Sequence, residues 1–247
     1  MVLSGFHSVT ARLRQAPQTM RELFLDRDRV DARARELMRL AESCGVEVRV
    51  VPAARLDRMC RGQRHQGVVA MVDVEVPARG LAGLLEELAR QRVDPLLLLL
   101  DGVTDPRNLG ACLRVADGAG AHAVVAPKDH SCGLTDAAVH TSSGAAEHVP
   151  FISVTNLART IEDLQLAGLR VVGTADDSGQ SLYDAPLDGP LAWVLGSEDK
   201  GIRRLVREQC DALVSIPMLG ACESLNVSVA AGVVLYETVR RRIARQP

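Results

Sequence analysis

The chain has 247 residues, of which 47% are apolar, 24% charged and 2% aromatic, with a formal net charge of −2. Those proportions describe a globular chain of one large or two modest domains and exclude a disordered, collagenous or disulfide-framework protein. The six cysteines (Cys44, Cys60, Cys112, Cys132, Cys210, Cys222) include no CxxC pair, which argues against zinc ribbons and redox pairs, and without a secretory context reduced thiols are expected.

In chain order, residues 1–75 read as a small α/β unit: a strand at Glu22–Leu25, a helix over Asp31–Cys44 stopped by Gly45, and a strand at Val46–Val51. A short helix over Ala53–Arg61 ending at Gly62 and a strand at Gly67–Val74 complete it. Residues 76–93 read as a join, with breaks at Pro77 and Gly80 around the short helix LAGLLEELARQ. The second domain is expected over 94–247. It opens on LLLLL (96–100), an apolar run suited to a central parallel strand.

Alternation follows. Helices are expected at Leu109–Asp117, Thr135–Ser142, Asn156–Ala167, Arg203–Gln209 and Leu225–Arg242. Strands are expected at His122–Ala126, His148–Ile152, Leu169–Thr174, Leu191–Gly196 and Ala212–Ile216. Repeated β-α-β units predict an α/β fold with a mostly parallel sheet and helices on both faces. The run Leu96–Leu100 falls far short of the ~20 apolar residues of a membrane helix. The N-terminus MVLSGFHSVTARLRQ lacks the apolar core of a signal peptide, so a cytoplasmic protein with no membrane contact is expected.

Ligands of such sheets bind at the carboxyl ends of the strands. Four Gly-rich polar clusters fall there: DGVTDPRNLG, GTADDSG, GSEDKG and PMLGACESLN. The stretch Asp117–Ala121 imitates a dinucleotide-binding loop, but it follows a helix and precedes a strand, which makes it a helix cap and turn. There is no Walker loop and no HExxH, and the six histidines are scattered, so no metal is expected.

Three segments carry chemistry. In NLGACLR, Asn108 can cap the helix it opens, Gly110 permits close backbone approach, and Arg114 projects about 1.5 turns further along. Alone this is also an ordinary capped surface helix. LGSEDKG places Glu198 between Gly196 and Gly201 in a tight loop, which alone is a solvated turn. IPMLGACESLNVSVA ends a strand at Ile216–Pro217, and Ser224 or Asn226 then opens a helix rich in small residues, a start suited to phosphate or carboxylate.

Together, in this order and at these strand ends, the three segments resemble the motifs of the SpoU/TrmH (SPOUT) family of RNA 2′-O-ribose methyltransferases. The resemblance runs through most of the chain. DGVTDPRNLGACLRVADGAGAHAVVAPKD, SGAAEHVP, VTNLART and SLNVSVA look most like the subgroup that methylates a guanosine ribose in large-subunit (23S) rRNA. GFHSV (5–9) and HQG (65–67) resemble that subgroup's RNA-recruiting domain, which is similar to the ribosomal-protein L30e fold.

The resemblance implies a deep C-terminal trefoil knot, a homodimer, and S-adenosylmethionine as cofactor. The cofactor would be held through main-chain groups of Thr174, Gly196, Ile216 and Leu225. It implies that Arg114 acts on the ribose 2′-hydroxyl, either as a base or as a phosphate clamp that stabilises the developing alkoxide. Asn108 would orient the hydroxyl or hold Arg114. Glu198 would fix an arginine or the loop, and Glu147 a neighbouring arginine. Ser224 and Asn226 would bind phosphate and shape the methionine end of the cofactor. Glu223 departs from the family pattern by placing a carboxylate near the RNA backbone. It implies either a salt bridge to an arginine such as Arg114 or a shifted substrate preference. A tRNA or antibiotic-resistance rRNA methyltransferase of the same family, and a non-catalytic RNA-binding assembly factor, stay open as alternatives.

Charge adds one point. Residues 1–75 hold 13 basic and 10 acidic side chains, and residues 49–67 carry five arginines against one aspartate. This local patch, with Arg58, Arg61, Arg64 and His65, is the expected RNA contact. Aromatic residues are too few for a base-stacking platform.

Overall fold

The computed structural model describes residues 2–60, 64–72 and 80–245, and the chain divides into two compact units, Met1–Glu75 and Val76–Pro247.

The first unit runs β1 (Val2–Ser4), α1 (Phe6–Gln15), β2 (Met20–Asp26), α2 (Ala32–Ser43), β3 (Val48–Val51), α3 (Ala53–Met59) and β4 (Val68–Val72). Its sheet has the order β1-β4-β2-β3, with β2 parallel to β3 and β4 antiparallel to both β1 and β2. The expected pattern holds from β2 onward, with β2 longer and β3 shorter than the sequence suggests. Arg61, Gly62 and the end of the strand expected at Gly67–Val74 lie outside the described residues.

Helix α2 starts where Asp31 accepts the Ala34 N–H at 2.9 Å, and it buries Ala34, Leu37 and Ala41 on one face. β1 and α1 are additions to the elements expected from sequence. Phe6, Val9 and Leu13 do have helical spacing and are buried, but the residue before them is Gly5, at φ +90° with no side-chain cap.

The second unit runs α4 (Gly80–Gln91), β5 (Leu96–Asp101), α5 (Pro106–Gly118), β6 (Ala123–Pro127), α6 (Asp136–Thr141), β7 (Phe151–Val154) and α7 (Leu157–Leu166). It continues with β8 (Arg170–Thr174), β9 (Leu191–Gly196), α8 (Arg204–Gln209), β10 (Ala212–Val214) and α9 (Val227–Ala244). All six strands are parallel, in the order β10-β8-β9-β5-β6-β7.

The leucine run explains the layers. Leu96, Leu98 and Leu100 face one core with Trp193, Leu113 and Leu235, while Leu97 and Leu99 face a second with Val194, Ile161 and Leu164. Each buried leucine contributes about 1.5–3 kcal/mol, so a strand apolar on both faces is stable only between two helical layers. Helices α5 and α9 cover the first face. Helix α7 covers the second, joined by Leu81, Leu84 and Leu85 of the helix expected within the join. The strand expected at His148–Ile152 is displaced to β7, because residues 145–147 form a short 3-10 turn.

The last helix is held firmly. Trp193 donates its indole N–H to Thr238 at 3.0 Å in the buried interior. Arg241 reaches the carbonyls of Leu182, Tyr183 and Ala185, and Arg242 reaches those of Asp94, Pro95 and Gly189.

Candidate active site

Strands β10, β8, β9 and β5 are neighbours, so the loops after them meet at one end of the sheet. Asp101 lies opposite Gly196, and Thr174 opposite Val214. Gly196 closes its strand against the loop that follows. A Cβ there would collide with the backbone of Gly201 and Ile202. Ser197 and Gly201 exchange backbone hydrogen bonds of 3.2 and 2.9 Å, and Gly201 takes φ +62°. This fold-back presents Glu198.

Glu198 joins the three motifs. Its Oε1 accepts from Asn108 Nδ2 at 3.3 Å, from Asn226 Nδ2, and from the Val227 N–H at 3.2 Å. Asn226 Nδ2 also donates to Asn108 Oδ1 at 3.0 Å. The Oδ1 of Asn226 accepts from Ser228 N at 3.0 Å and Ser228 Oγ at 2.6 Å, which turns its amide nitrogen toward the other two side chains. Residues 108, 198 and 226 are brought together from three separate strand ends.

Two details differ from the sequence reading. The cap of α5 is Asp105, whose Oδ1 accepts from Arg107 N at 2.7 Å. Asn108 therefore lies inside the first turn, where its amide is free to face Glu198. Of the two starts open for α9, Asn226 is the cap, with Ser224 and Leu225 preceding the helix. Glu198 fixes asparagines and a helix N-terminus, and among the described residues the hydrogen bonds it accepts come from no arginine. An anion at a helix N-terminus is favourable there.

Arg114 is exposed on α5 and donates from Nη1 to Ser143 Oγ at 3.5 Å. Ser143 is outside the three motifs and carries no signal of its own in the sequence. It sits at φ +54° just before Gly144 at φ +100°. Gly110 allows this approach, since a Cβ on it would meet Ala138 O and lie 2.6 Å from Thr141 Cβ. Ser224 and Glu223 are exposed, and among the described residues Glu223 forms no ion pair with Arg114. Cys112 lies beneath the site. Burial, with the charge of Glu198 adding to it, pushes its thiol up to about 12.

The other residue that sequence reasoning misses is Asp101. Its Oδ2 accepts the Arg203 N–H at 2.8 Å and its Oδ1 accepts Arg203 Nε at 2.7 Å. The available signal is a lone carboxylate closing an all-leucine strand.

In the first unit, Arg58 and Arg64 are exposed. His65 is engaged internally. Its Nδ1 accepts the Gly67 N–H at 3.0 Å, which leaves the ring proton on Nε2, 3.0 Å from Asp57 Oδ1.

S-adenosylmethionine needs donors and acceptors for adenine, ribose and an amino-acid end. Thr174, Gly196 and Ile216 lie at neighbouring strand ends, and among the described residues no backbone group between 216 and 225 pairs with another backbone group. Main-chain groups of 216–225 at the end of a parallel sheet, beside Thr174 and Gly196, fit such a nucleoside. Among the described residues no cluster of three or more metal-ligating side chains occurs, and no helix is long and apolar enough to cross a membrane.

Known proteins resemble this chain along its whole length. Residues 95–236 match the model of the SpoU rRNA methylase family, and residues 2–75 match that of the RNA 2′-O ribose methyltransferase substrate-binding domain. The chain is 53% identical over 244 residues to the 23S rRNA (guanosine-2′-O-)-methyltransferase RlmB of a Burkholderia species, covering 99% of this chain and 98% of the relative. It is 54% identical to the protein of the same description from Ralstonia nicotianae, covering 98% and 96%. Among solved structures, the SpoU methyltransferase AviRb from Streptomyces viridochromogenes in complex with the cofactor AdoMet superposes with a TM-score of 0.79. It is 28% identical, with 99% of this chain and 91% of that one covered.

Proposed function

The chain belongs to the SpoU rRNA methylase family, and from that membership we propose that it uses S-adenosylmethionine to methylate the 2′-hydroxyl of a guanosine ribose in 23S rRNA. The observation that carries the reading is the Asn108–Glu198–Asn226 network, which joins all three motifs at the strand ends.

The bound cofactor supplies a methyl group on a cationic sulfur. The main chain at Thr174, Gly196, Ile216 and Leu225 holds it. The protein must place the hydroxyl and stabilise the charge that grows on its oxygen. Glu198 locks the two asparagines, and Asn108 keeps a second amide hydrogen with which to orient the 2′-oxygen. Arg114, exposed and able to swing from Ser143, would grip the adjacent phosphate and stabilise the charge that grows on the 2′-oxygen, whose proton passes to solvent water as the oxygen–methyl bond forms and the methyl–sulfur bond breaks. A guanidinium resists deprotonation, so the clamp is favoured over the base. Ser224, on the loop between β10 and α9, binds phosphate.

Several finer features follow from the family. The fold contains a deep trefoil knot. The reading is supported by the chain's passage from β10, at the sheet edge, back to Asn226 beside Glu198 and Asn108. The first unit is an L30e-like RNA-recruiting domain joined through residues 76–93, and its contacts run through the arginines at 58, 61 and 64 and through His65, which shapes the turn to Gly67. The protein is a cytoplasmic homodimer. Val229, Tyr236 and Ile243, exposed seven residues apart along α9, give a second copy an apolar stripe to cover.

The test is methyl transfer from radiolabelled S-adenosylmethionine to unmodified 23S rRNA, with 2′-O-methyl mapping. One guanosine should be modified by the wild type, and Arg114→Ala should lose about 10²-fold or more of the rate. Its rate should rise with pH as steeply as the wild type's if Arg114 is a clamp, and a changed profile would mark it as the base. Transfer to tRNA alone, or to no RNA, would overturn the reading.

A further inference from the structure

We propose that Asp101 is a positioning residue for this reaction, holding through Arg203 the loop that carries Glu198. The inference rests on the proposed methyl transfer and deepens it.

Asp101 is 0% exposed, and every other residue of β5 is leucine. A carboxylate in such surroundings is costly unless paired and hydrogen-bonded. Arg203 meets that need with its backbone N–H at 2.8 Å, its Nε at 2.7 Å and its Nη2 at 2.7 Å. The backbone of Asp101 lies opposite Gly196 in the sheet. One residue thus holds both ends of the loop from Gly196 to Arg203. The Ser197–Gly201 exchange cinches its middle, and Lys200 N adds a bond to Ser197 Oγ at 3.3 Å. Glu198 lies inside this closed ring, two residues from Gly196, and reaches Asn108, Asn226 and the first N–H of α9.

The arrangement is more than packing. An apolar pair would fill the strand end without burying a charge, and the Arg203 side chain remains 44% exposed. What the ion pair adds is direction. The fork of Arg203 and its backbone N–H fix where the loop re-enters α8, and so the angle at which Glu198 leaves the sheet. Asp101 donates and accepts nothing at the asparagines and acts only through the loop.

The test compares full-length wild type, Asp101→Asn, Glu198→Gln and the double variant. Hydrogen exchange without cofactor should show the amides of Gly201 and Arg203 exchanging faster in Asp101→Asn, with those of β6 and β7 unchanged. The kcat for 23S rRNA should fall by on the order of 10²-fold, as for a misplaced catalytic group, with KM unchanged. The double variant should be no slower than the slower single one, because both changes break the same link. Arg203→Lys keeps the charge and the backbone N–H and should recover part of the loss. It replaces Asp101→Asn in the cycle if that variant does not fold. Effects that multiply in the double variant, or unchanged loop exchange with unchanged kcat, would overturn the proposal. Failure of the wild type to methylate 23S rRNA would sink the proposed function instead, while the exchange data would still judge the hold of Asp101 on the loop.

Discussion

Glu237, on the last helix, is a carboxylate with 7% exposure that receives Arg240 Nε at 2.8 Å and Arg241 Nε at 2.7 Å. The Arg240 hydrogen bond first, then Arg241, lower its pKa from 4.5 to about 2 against the opposing effect of burial. A group whose folded pKa is depressed stabilises the fold above its unfolded value. That contribution disappears as pH falls through the folded value. Stability should therefore decline between about pH 4.5 and pH 2, and Glu237→Gln should flatten that part of the curve in acid titrations followed by denaturant midpoint. The same helix turn carries Arg241 to three carbonyls of residues 182–185, so the variant should also loosen that segment.

Among elements, the approach of α5 to α6 is set by Gly110. A methyl group at that position meets backbone and Thr141 Cβ, neither of which can swing away. Gly110→Ala should cost about 1–3 kcal/mol in denaturant unfolding, as overpacking does, and a cost near zero would refute the close approach. It should also part Arg114 from Ser143. Elements with both a period and a boundary signal are readable from the sequence: the leucines of β5, the cap and Gly45 of α2, and Asn156 at the start of α7. Helix α1 has the period without the cap, and the sequence does not announce it. The three motifs are visible as separate segments, but their union is not. Asn108 and Glu198 lie 90 residues apart and Asp101 and Arg203 lie 102 apart, and such separations leave no local trace. The cap of α5 is ambiguous in the sequence because Asp105 and Asn108 are equally good capping types one turn apart.

For the whole molecule, net charge is a poor guide to RNA binding. The chain is slightly acidic, yet residues 1–75 carry an excess of three basic side chains. Replacing Arg58, Arg61 and Arg64 with Gln should weaken rRNA binding and reduce the slope of log affinity against log salt by about 0.7–0.9 for each phosphate that is no longer neutralised. An unchanged slope would remove the patch from the interface.

The indole of Trp193, tied to Thr238, has an experimental use. It is the sole tryptophan, and both tyrosines, Tyr183 and Tyr236, also fall after residue 75. Ultraviolet emission therefore reports on the second unit alone, while the first, with only Phe6 and Phe24, is optically silent. Emission excited at the indole band records the docking of the last helix. Backbone circular dichroism records both units, and any gap between the two melting curves measures how independently the first unit comes apart.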